Sequence, residues 1–371
     1  MARMESASLI LPRSLVFTHD GMPGYTRRRQ GKGFSYVTPE KSVMTDPGER
    51  QRITSLVIPP AYEMVWICLK PNGHLQATGI DQRGRKQYRY HPEWQVLSSD
   101  RKFELLRAFA LALPRLRLRV KSALSRPELD RERILGGIVT LLDATGFRIG
   151  NRRYVRENRS FGLASLLSRH LSEDHGRWIV RFRGKSGKDH EAEIADRRLV
   201  SLIAELHELP GQPLFQYEDS GGDLHEVSTT EVNDWLKDAG GGDFTAKQFR
   251  TWRATVMCAR ELGSAPPAES EASCRKAEHA AIRVTAAALN HTVATCRKYY
   301  VHPAILKAYR SGELFRWMNS APPRLRRGDE SNKLRADERR TLKVIENSKR
   351  MRSQRGTEGA KKRSTLNLKK P

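Results

Sequence analysis

The chain has 371 residues, which is long enough for two or three domains with cores of their own. Its 67 Lys and Arg residues against 42 Asp and Glu residues give a formal net charge of +25, and this favours a polyanionic partner. Nucleic acid is the first candidate and an anionic membrane surface is the alternative, but no apolar run reaches the roughly 20 residues of a membrane-spanning helix.

The N-terminal part of the sequence is predicted to contain a small β-sheet domain. Residues 1–35 contain Gly, Pro and Arg without periodicity, so we expect a flexible leader. Within residues 36–98, short β-type runs occur at 55–58, 65–69 and 75–80. Pro71-Asn72-Gly73 separates the last two runs and is a typical hairpin turn.

Helical periodicity dominates residues 99–322, which predicts a second, mainly α-helical domain. Its first helix is expected to begin near Ser99-Asp100 and to bend or end at Pro114, and its second to run from Pro127 to Gly146. Strand-like segments at 178–183 and 190–194 flank Gly184-Lys185-Ser186-Gly187-Lys188, which predicts a β-hairpin with a basic tip. Further helices are predicted at 197–208, 229–239, 245–262, 275–290 and 303–312. The predicted fold class is therefore α+β.

The C-terminal part, residues 323–371, is predicted to be a basic tail that is disordered or forms a loose helix in contact with a polyanion. From residue 326 onward it contains 16 basic and 6 acidic residues, few apolar residues and no aromatic ones. Such a composition cannot form a core of its own, and its charge suits contact with a polyanion.

The cysteines give no sign of a metal site or of a disulfide framework. Cys68, Cys258, Cys274 and Cys296 show neither a CxxC pair nor the spacing of a metal-ligand cluster. Scattered thiols are typical of a reducing compartment, so the sequence predicts a cytoplasmic protein without a metal ion or other cofactor.

Five side chains in the helical part have the chemistry needed to attack a phosphodiester: Arg148, Lys185, Arg250, His291 and Tyr300. Tyrosine can act as the nucleophile, and adjacent guanidinium groups favour its phenolate form. Arginine and histidine can hold the charge that builds on the phosphorus oxygens. Lysine can pass a proton to the leaving oxygen.

Taken singly, these residues are also typical of ordinary structural roles. An arginine after a helix end is often on the surface, a histidine at a helix end is often a cap, and a tyrosine near a helix start is usually part of the core. Tyr299 competes with Tyr300 as the nucleophile, and Lys188 competes with Lys185 as the proton donor. Lys247 and Arg250 lie one helical turn apart, an arrangement that either faces solvent or binds phosphate. The order of the five on a strongly basic chain favours the catalytic interpretation.

From about residue 35 to 320, the chain resembles the type IB DNA topoisomerases, in particular the small bacterial and poxvirus enzymes. The resemblance is carried by several motifs: Pro59-Pro60-Ala61-Tyr62, Trp66-Ile67-Cys68, Gly84-Arg85-Lys86-Gln87-Tyr88-Arg89-Tyr90-His91, Arg148-Ile149-Gly150-Asn151, Phe182-Arg183-Gly184-Lys185-Ser186-Gly187-Lys188, Lys247-Gln248-Phe249-Arg250-Thr251-Trp252 and Cys296-Arg297-Lys298-Tyr299-Tyr300-Val301-His302-Pro303. It implies a small β-sheet domain followed by a helical catalytic domain of the tyrosine recombinase and topoisomerase IB type.

The resemblance also implies a role for each of the five residues. Tyr300 would attack a backbone phosphate and form a 3′-phosphotyrosyl bond, while Arg148, Arg250 and His291 hold the non-bridging oxygens. Lys185 would protonate the departing 5′-oxygen. One phosphodiester is exchanged for another, so the relaxation of supercoiled DNA by this route implies neither ATP nor a metal ion.

Double-stranded DNA is the partner that the resemblance implies, bound by a monomer that closes around it in the bacterial nucleoid. Arg85, Lys86, Gln87 and Tyr88 are expected to reach the duplex, where glutamine and tyrosine can read base edges. Tyr154 and Lys247 are expected to contact DNA from the catalytic domain.

Two other classes of function stay open at this point. Tyrosine recombinases use the same five-residue chemistry, but they usually carry His-x-x-Arg where this chain has Lys247-x-x-Arg250. A non-catalytic DNA-binding protein would fit the composition alone.

Overall fold

The computed structural model describes residues 11–209, 212–219, 221–320 and 334–348, except for the side chains of residues 153 and 154. The chain divides into two compact units, residues 1–102 and 103–371. The boundary lies within a long helix, whereas the sequence predicted it between residues 98 and 99.

The N-terminal unit contains a five-stranded antiparallel sheet in the order β2-β1-β3-β4-β5. Its strands are β1 (Gly24–Gln30), β2 (Gly33–Val37), β3 (Glu63–Cys68), β4 (Leu75–Ile80) and β5 (Lys86–Tyr90). The turn at Pro71-Asn72-Gly73 connects β3 to β4, which confirms the predicted hairpin. Ile67 and Ala77 face a small core on this sheet and are almost fully buried.

Two expectations for this unit are wrong. The predicted leader contains β1, which is paired on both sides, with β2 and β3. The sequence of β1 shows no alternation of apolar and polar residues that would indicate a strand, since it contains three consecutive arginines. The predicted strand at 55–58 is instead the end of helix α1 (Pro47–Ser55) and the loop after it. Asp46 caps the start of this helix by accepting a hydrogen bond from Glu49 N at 2.8 Å.

Helix α2 (Pro92–Ala123) starts seven residues before the predicted position and continues through Pro114. Proline suits the first turn of a helix, which explains the start at Pro92. Pro114 lies inside the helix beside the fully buried Leu113, so packing of that face offsets the hydrogen bond that proline cannot make.

Helix α3 (Arg131–Thr145) begins later than predicted and ends as predicted. The carboxylate of Asp130 accepts a hydrogen bond from Arg133 N at 2.9 Å and so fixes the start. Gly146 adopts φ 65°, the left-handed conformation that terminates helices and favours glycine. This turn directs the chain from α3 into the segment that contains Arg148.

The remaining helices of the C-terminal unit follow in chain order: α4 (Arg152–Asn158), α5 (Arg197–Glu208), α6 (Thr229–Gly240), α7 (Ala246–Ser264), α8 (Glu271–Ala288), α9 (Val293–Tyr299), α10 (Pro303–Arg310) and α11 (Glu313–Asn319). The strands of this unit are β6 (Leu171–Asp174), β7 (Arg177–Arg183), β8 (Asp189–Ile194), β9 (Gln216–Glu218) and β10 (Leu224–Glu226). The pairing of β7 with β8 confirms the predicted hairpin with Lys185 at its tip. A small sheet unit followed by a mainly helical unit with a hairpin confirms the α+β class.

The described part of the predicted tail is helical, as one of the two alternatives had it, but the helix is packed rather than loose. Residues 336–348 form a helix, here called α12, and Leu342, Val344 and Ile345 are buried in the same core as α2, α3 and α7. Residues 323–333 and 349–371 of that prediction lie outside the described residues. Among the helices of the described residues, none is both long enough and apolar enough to cross a membrane.

Candidate active site

Tyr300 lies directly after α9, where its backbone is fixed on both sides. Its N–H donates to Cys296 O at 2.9 Å, and its carbonyl accepts from the fully buried hydroxyl of Thr255 on α7 at 3.1 Å. The Tyr300 ring is half-buried and packs against the main core. Tyr299 projects its ring to the surface, where Lys298 Nζ lies 5.3 Å from the ring centroid. The structure therefore separates the two adjacent phenols.

Arg250 is buried and contacts Tyr300 and His291. Its Nε donates to His291 Nε2 at 2.9 Å, and its two terminal nitrogens donate to the carbonyl oxygens of Gly146 and Leu289. The guanidinium carbon lies 5.7 Å from the Tyr300 ring centroid. Because these bonds reach the ends of both α3 and α8, Arg250 joins three helices at the position of the phenol.

His291 lies between Arg250 and Arg148 and contacts both guanidinium groups. Its ring stacks on Tyr300 with the centroids 4.2 Å apart and the planes inclined by 24°. Its Nδ1 lies 3.3 Å from Arg148 Nη2, so a guanidinium donor faces each ring nitrogen. A neutral imidazole can accept at only one of its nitrogens. We assign the acceptor to Nε2, which makes the shorter contact, and the proton to Nδ1.

The electrostatics of the site support a neutral imidazole between two cations. Burial, together with the charges of Arg250 and Arg148, lowers the pKa of His291 to about 3. Burial also lowers the pKa of Arg148 and of Arg250, and the Tyr300 phenol partly offsets this lowering in both. Arginine has so high an intrinsic pKa that both guanidinium groups stay charged at neutral pH.

Two donors at this site lack an acceptor once the His291 proton is assigned to Nδ1. Arg148 Nη1 is buried and has no hydrogen-bond partner among the described residues. The Nδ1–H of His291 faces another donor, Arg148 Nη2, instead of an acceptor. Buried donors of this kind cost free energy unless something accepts from them. An anion with several oxygens, such as a phosphate group, would satisfy them.

Lys185 lies in the turn between β7 and β8, where Ser186 and Gly187 both have positive φ angles, 65° and 69°. Lys185 and Lys188 are both exposed. The charge of Lys185 is among those that lower the pKa of His291, so the hairpin brings this lysine into electrostatic range of the site.

Two side chains that lie beside the site were not predicted from the sequence. His190 on β8 is buried, and its ring lies 5.0 Å from that of Phe147, the residue before Arg148. Asn290, directly before His291, donates from its side chain to Asp189 O at 2.7 Å. Their contacts join segments about 100 residues apart in the chain, and no local pattern distinguishes such a histidine from an ordinary strand residue.

The predicted DNA-binding residues of the N-terminal unit lie on β5 and the turn before it. Arg85 and Gln87 both donate to Asp81 Oδ2, at 2.7 and 2.9 Å, and the Arg85 hydrogen bond holds the pKa of that carboxyl well below its usual range. Lys86 pairs with Asp20, and this hydrogen bond raises the pKa of the lysine.

Tyr88 is about half exposed, and its ring stacks on that of Tyr90 with the centroids 6.1 Å apart. Lys247 is exposed in the first turn of α7, one turn before Arg250. The side chain of Tyr154 lies outside the described residues. Within the described part of the chain, no group of three or more His, Cys, Asp or Glu side chains is arranged to hold a metal ion.

Comparison with known proteins identifies the family. Residues 91–314 match the model described as "Eukaryotic DNA topoisomerase I, catalytic core", and residues 33–81 match "Bacterial DNA topoisomerase IB, N-terminal domain". DNA topoisomerase 1B of Acanthamoeba polyphaga mimivirus is 30% identical over 301 residues, which cover 79% of this chain and 90% of the viral one. DNA topoisomerase I of monkeypox virus and DNA topoisomerase 1B of vaccinia virus (strain Copenhagen) are each 22% identical over 260 residues, or 69% of this chain and 77% of theirs. The chain therefore belongs to the type IB DNA topoisomerases and is an isomerase that acts on DNA.

Proposed function

We propose that this topoisomerase relaxes supercoiled DNA by cutting one strand through a 3′-phosphotyrosyl bond to Tyr300 and then resealing it. The observation that carries the proposal is the position of the phenol ring, 4.2 Å from the His291 ring and 5.7 Å from the Arg250 guanidinium. The donors without acceptors on Arg148 and His291 lie beside it. A backbone phosphate would place its non-bridging oxygens among these donors and its phosphorus near the phenol oxygen.

In the proposed cleavage step, the Tyr300 oxygen forms a bond to phosphorus, loses its proton to solvent and displaces the 5′-oxygen. Lys185 donates a proton to that oxygen as it leaves. Arg148 and Arg250 stabilise the charge on the non-bridging oxygens, and the Nδ1–H of His291 adds a third donor. Religation is the reverse reaction, in which the 5′-hydroxyl attacks phosphorus, gives its proton to Lys185 and displaces the phenolate.

The proposal requires neither ATP nor a divalent ion. The phosphotyrosyl diester conserves the free energy of the broken bond, so resealing needs no second energy source. Two guanidinium groups, one held by Gly146 and Leu289, carry the charge that a divalent ion would otherwise neutralise.

We also propose that the protein binds duplex DNA as a monomer, with contacts from both units, on the bacterial nucleoid. The net charge of +25 and the exposed, stacked Tyr88 support DNA binding by both units. Arg85, Lys86 and Gln87 would exchange their carboxylate partners for DNA groups, while Tyr154 and Lys247 would contact phosphates near the cleavage site. The bacterial location rests on the match of residues 33–81 to a bacterial domain.

Plasmid relaxation in EDTA without ATP tests this function, with Tyr300→Phe compared against Tyr299→Phe. Tyr300→Phe should abolish relaxation and covalent adducts and leave DNA binding within a few-fold, because only the attacking oxygen is lost. Tyr299→Phe is the matched control and should relax DNA at nearly the normal rate. Relaxation by Tyr300→Phe, or a requirement for a divalent ion, would contradict the proposal. Synapsis of two specific DNA sites would indicate a recombinase instead.

A further inference from the structure

We propose that Asn290 is a positioning residue that fixes the Lys185 hairpin against the segment carrying His291. The inference rests on the proposed role of Lys185 as the proton donor. Asn290 lies between the end of α8 and His291, in the left-handed conformation with φ 51°. Its side-chain nitrogen donates to the carbonyl oxygen of Asp189, the first residue of β8, at 2.7 Å. The Asn290 side chain therefore connects the hairpin that carries Lys185, the predicted proton donor, to the segment that carries His291, a predicted hydrogen-bond donor to phosphate.

The same amide also contacts His190, the next residue of the hairpin. Asn290 Nδ2 lies 3.2 Å from His190 Nδ1. Burial, with the nearby charges of Arg250 and Arg148, lowers the pKa of His190 to about 4, so the ring is neutral at physiological pH. A neutral ring can accept at Nδ1, and the two amide hydrogens of Asn290 then each have an acceptor on the hairpin.

His190 transmits this restraint to the turn that holds Lys185. A Cβ atom on Gly184 would lie 2.5 Å from His190 Cδ2, so the ring rests directly on the residue before Lys185, where only glycine leaves room. The ring also stacks on Phe182 across the hairpin, with the centroids 5.0 Å apart and an interplanar angle of 16°. The contacts thus form a continuous chain from Asn290 through His190 and Gly184 to Lys185.

Loss of this restraint should affect proton donation more than phosphate binding. A long lysine side chain must reach the leaving oxygen to within about 3 Å, and the position of the turn sets its reach. Arg250 has independent anchors at Gly146 and Leu289 and its own bond to His291, none of which involves the Asn290 side chain. The cleavage defect should therefore depend on whether the leaving group needs a proton.

Single-turnover cleavage of two DNA substrates tests this dependence. One substrate has the normal bridging 5′-oxygen, and the other has sulfur at that atom, which leaves as a thiolate without needing a proton. Asn290→Gly removes the amide and tolerates the positive φ angle. We expect it to slow cleavage of the oxygen substrate by about 10- to 100-fold and to cleave the sulfur substrate within a few-fold of the normal rate. Lys185→Ala should show the same pattern with a larger effect, while Arg250→Ala should be slow on both substrates.

Equal slowing of Asn290→Gly on the two substrates, or no slowing on either, would overturn the inference. If sulfur rescues Lys185→Ala but not Asn290→Gly, the positioning role alone is refuted. If sulfur does not rescue Lys185→Ala, both the proton-donor role of Lys185 in the proposed function and the positioning role of Asn290 are refuted. His190→Phe is a second variant that keeps an aromatic ring on Phe182 and loses the Nδ1 acceptor, so it should reproduce the rescue by sulfur. Thermal unfolding of each variant verifies that it is folded.

Discussion

At the scale of single residues, the candidate site contains a histidine whose imidazole is neutral at physiological pH. A protonated His291 would place a third cation between Arg148 and Arg250, and no carboxylate pairs with either arginine in the described part of the chain. Burial and these two charges lower its pKa to about 3 instead. The imidazole can therefore donate one hydrogen bond through Nδ1 while it orients Arg250 through Nε2.

The neutral state of His291 predicts how the rate of DNA cleavage varies with pH. The rate should show no inflection from His291 between pH 5 and 8, because a group whose pKa is lowered to about 3 keeps one protonation state throughout that range. His291→Asn keeps a donor and should preserve the shape of the profile, while His291→Ala should slow cleavage about 100-fold. Single-turnover rates at a series of pH values measure both effects. An inflection near pH 6.5 that disappears in His291→Asn would show that the imidazolium is the active form.

At the scale of secondary-structure elements, α12 belongs to the C-terminal unit as much as the helices before it. Arg117 on α2 donates to both carboxylate oxygens of Glu338, at 2.7 and 2.8 Å, and to those of Asp143 on α3 at 2.9 Å. Trp252 Nε1 also donates to Glu338, at 3.4 Å, two residues after Arg250 on α7. Glu338 therefore links α12 directly to α2 and to α7, the helix that carries Arg250, and it reaches α3 only through Arg117.

Replacement of Glu338 should destabilise the protein. Glu338→Ala leaves a partly buried guanidinium on Arg117 with half of its partners, so we expect the free energy of unfolding to fall by about 3 kcal/mol. Asp337→Ala is the matched control on the same helix. It removes a more exposed pair with Arg340 and should change the free energy of unfolding by less than about 1 kcal/mol. Urea denaturation of both variants measures the difference, and equal effects would show that the Glu338 network contributes no more than a surface pair.

The sequence predicted those elements that local signals define. The limits of α5 coincide with its prediction because Asp196 caps an amphipathic segment, and the β7–β8 hairpin has clear strands on both sides of a glycine-containing turn. β1 and the packing of α12 were missed because they depend on pairing and burial against distant parts of the chain. The same distinction applies at the site. The sequence predicted Arg148, Arg250, His291 and Tyr300 as site residues, and the structure brings these four together, but a hydrogen bond between Asn290 and Asp189 leaves no local trace in the sequence.

At the scale of the whole molecule, excess positive charge is concentrated at the C-terminal end. Residues 349–371 contain nine Lys or Arg residues and a single Glu. A truncation that removed everything from residue 326 would also delete α12 and so mix a folding defect with a binding defect. A chain that ends at Ser348 keeps α12 and removes only this basic segment.

We expect the chain that ends at Ser348 to bind DNA more weakly and with a smaller dependence on salt. Each phosphate contact releases counterions and contributes about 0.9 to the slope of log K against log salt concentration, so loss of three contacts should reduce that slope by about 2.7. Lys361→Gln, Lys362→Gln and Arg363→Gln together serve as a full-length comparison and should give part of the same reduction. Titrations of a DNA duplex at several salt concentrations measure the slope. An unchanged slope in the truncated chain would mean that the segment makes no phosphate contacts, and the net charge that drives DNA binding would then have to act through the two folded units alone.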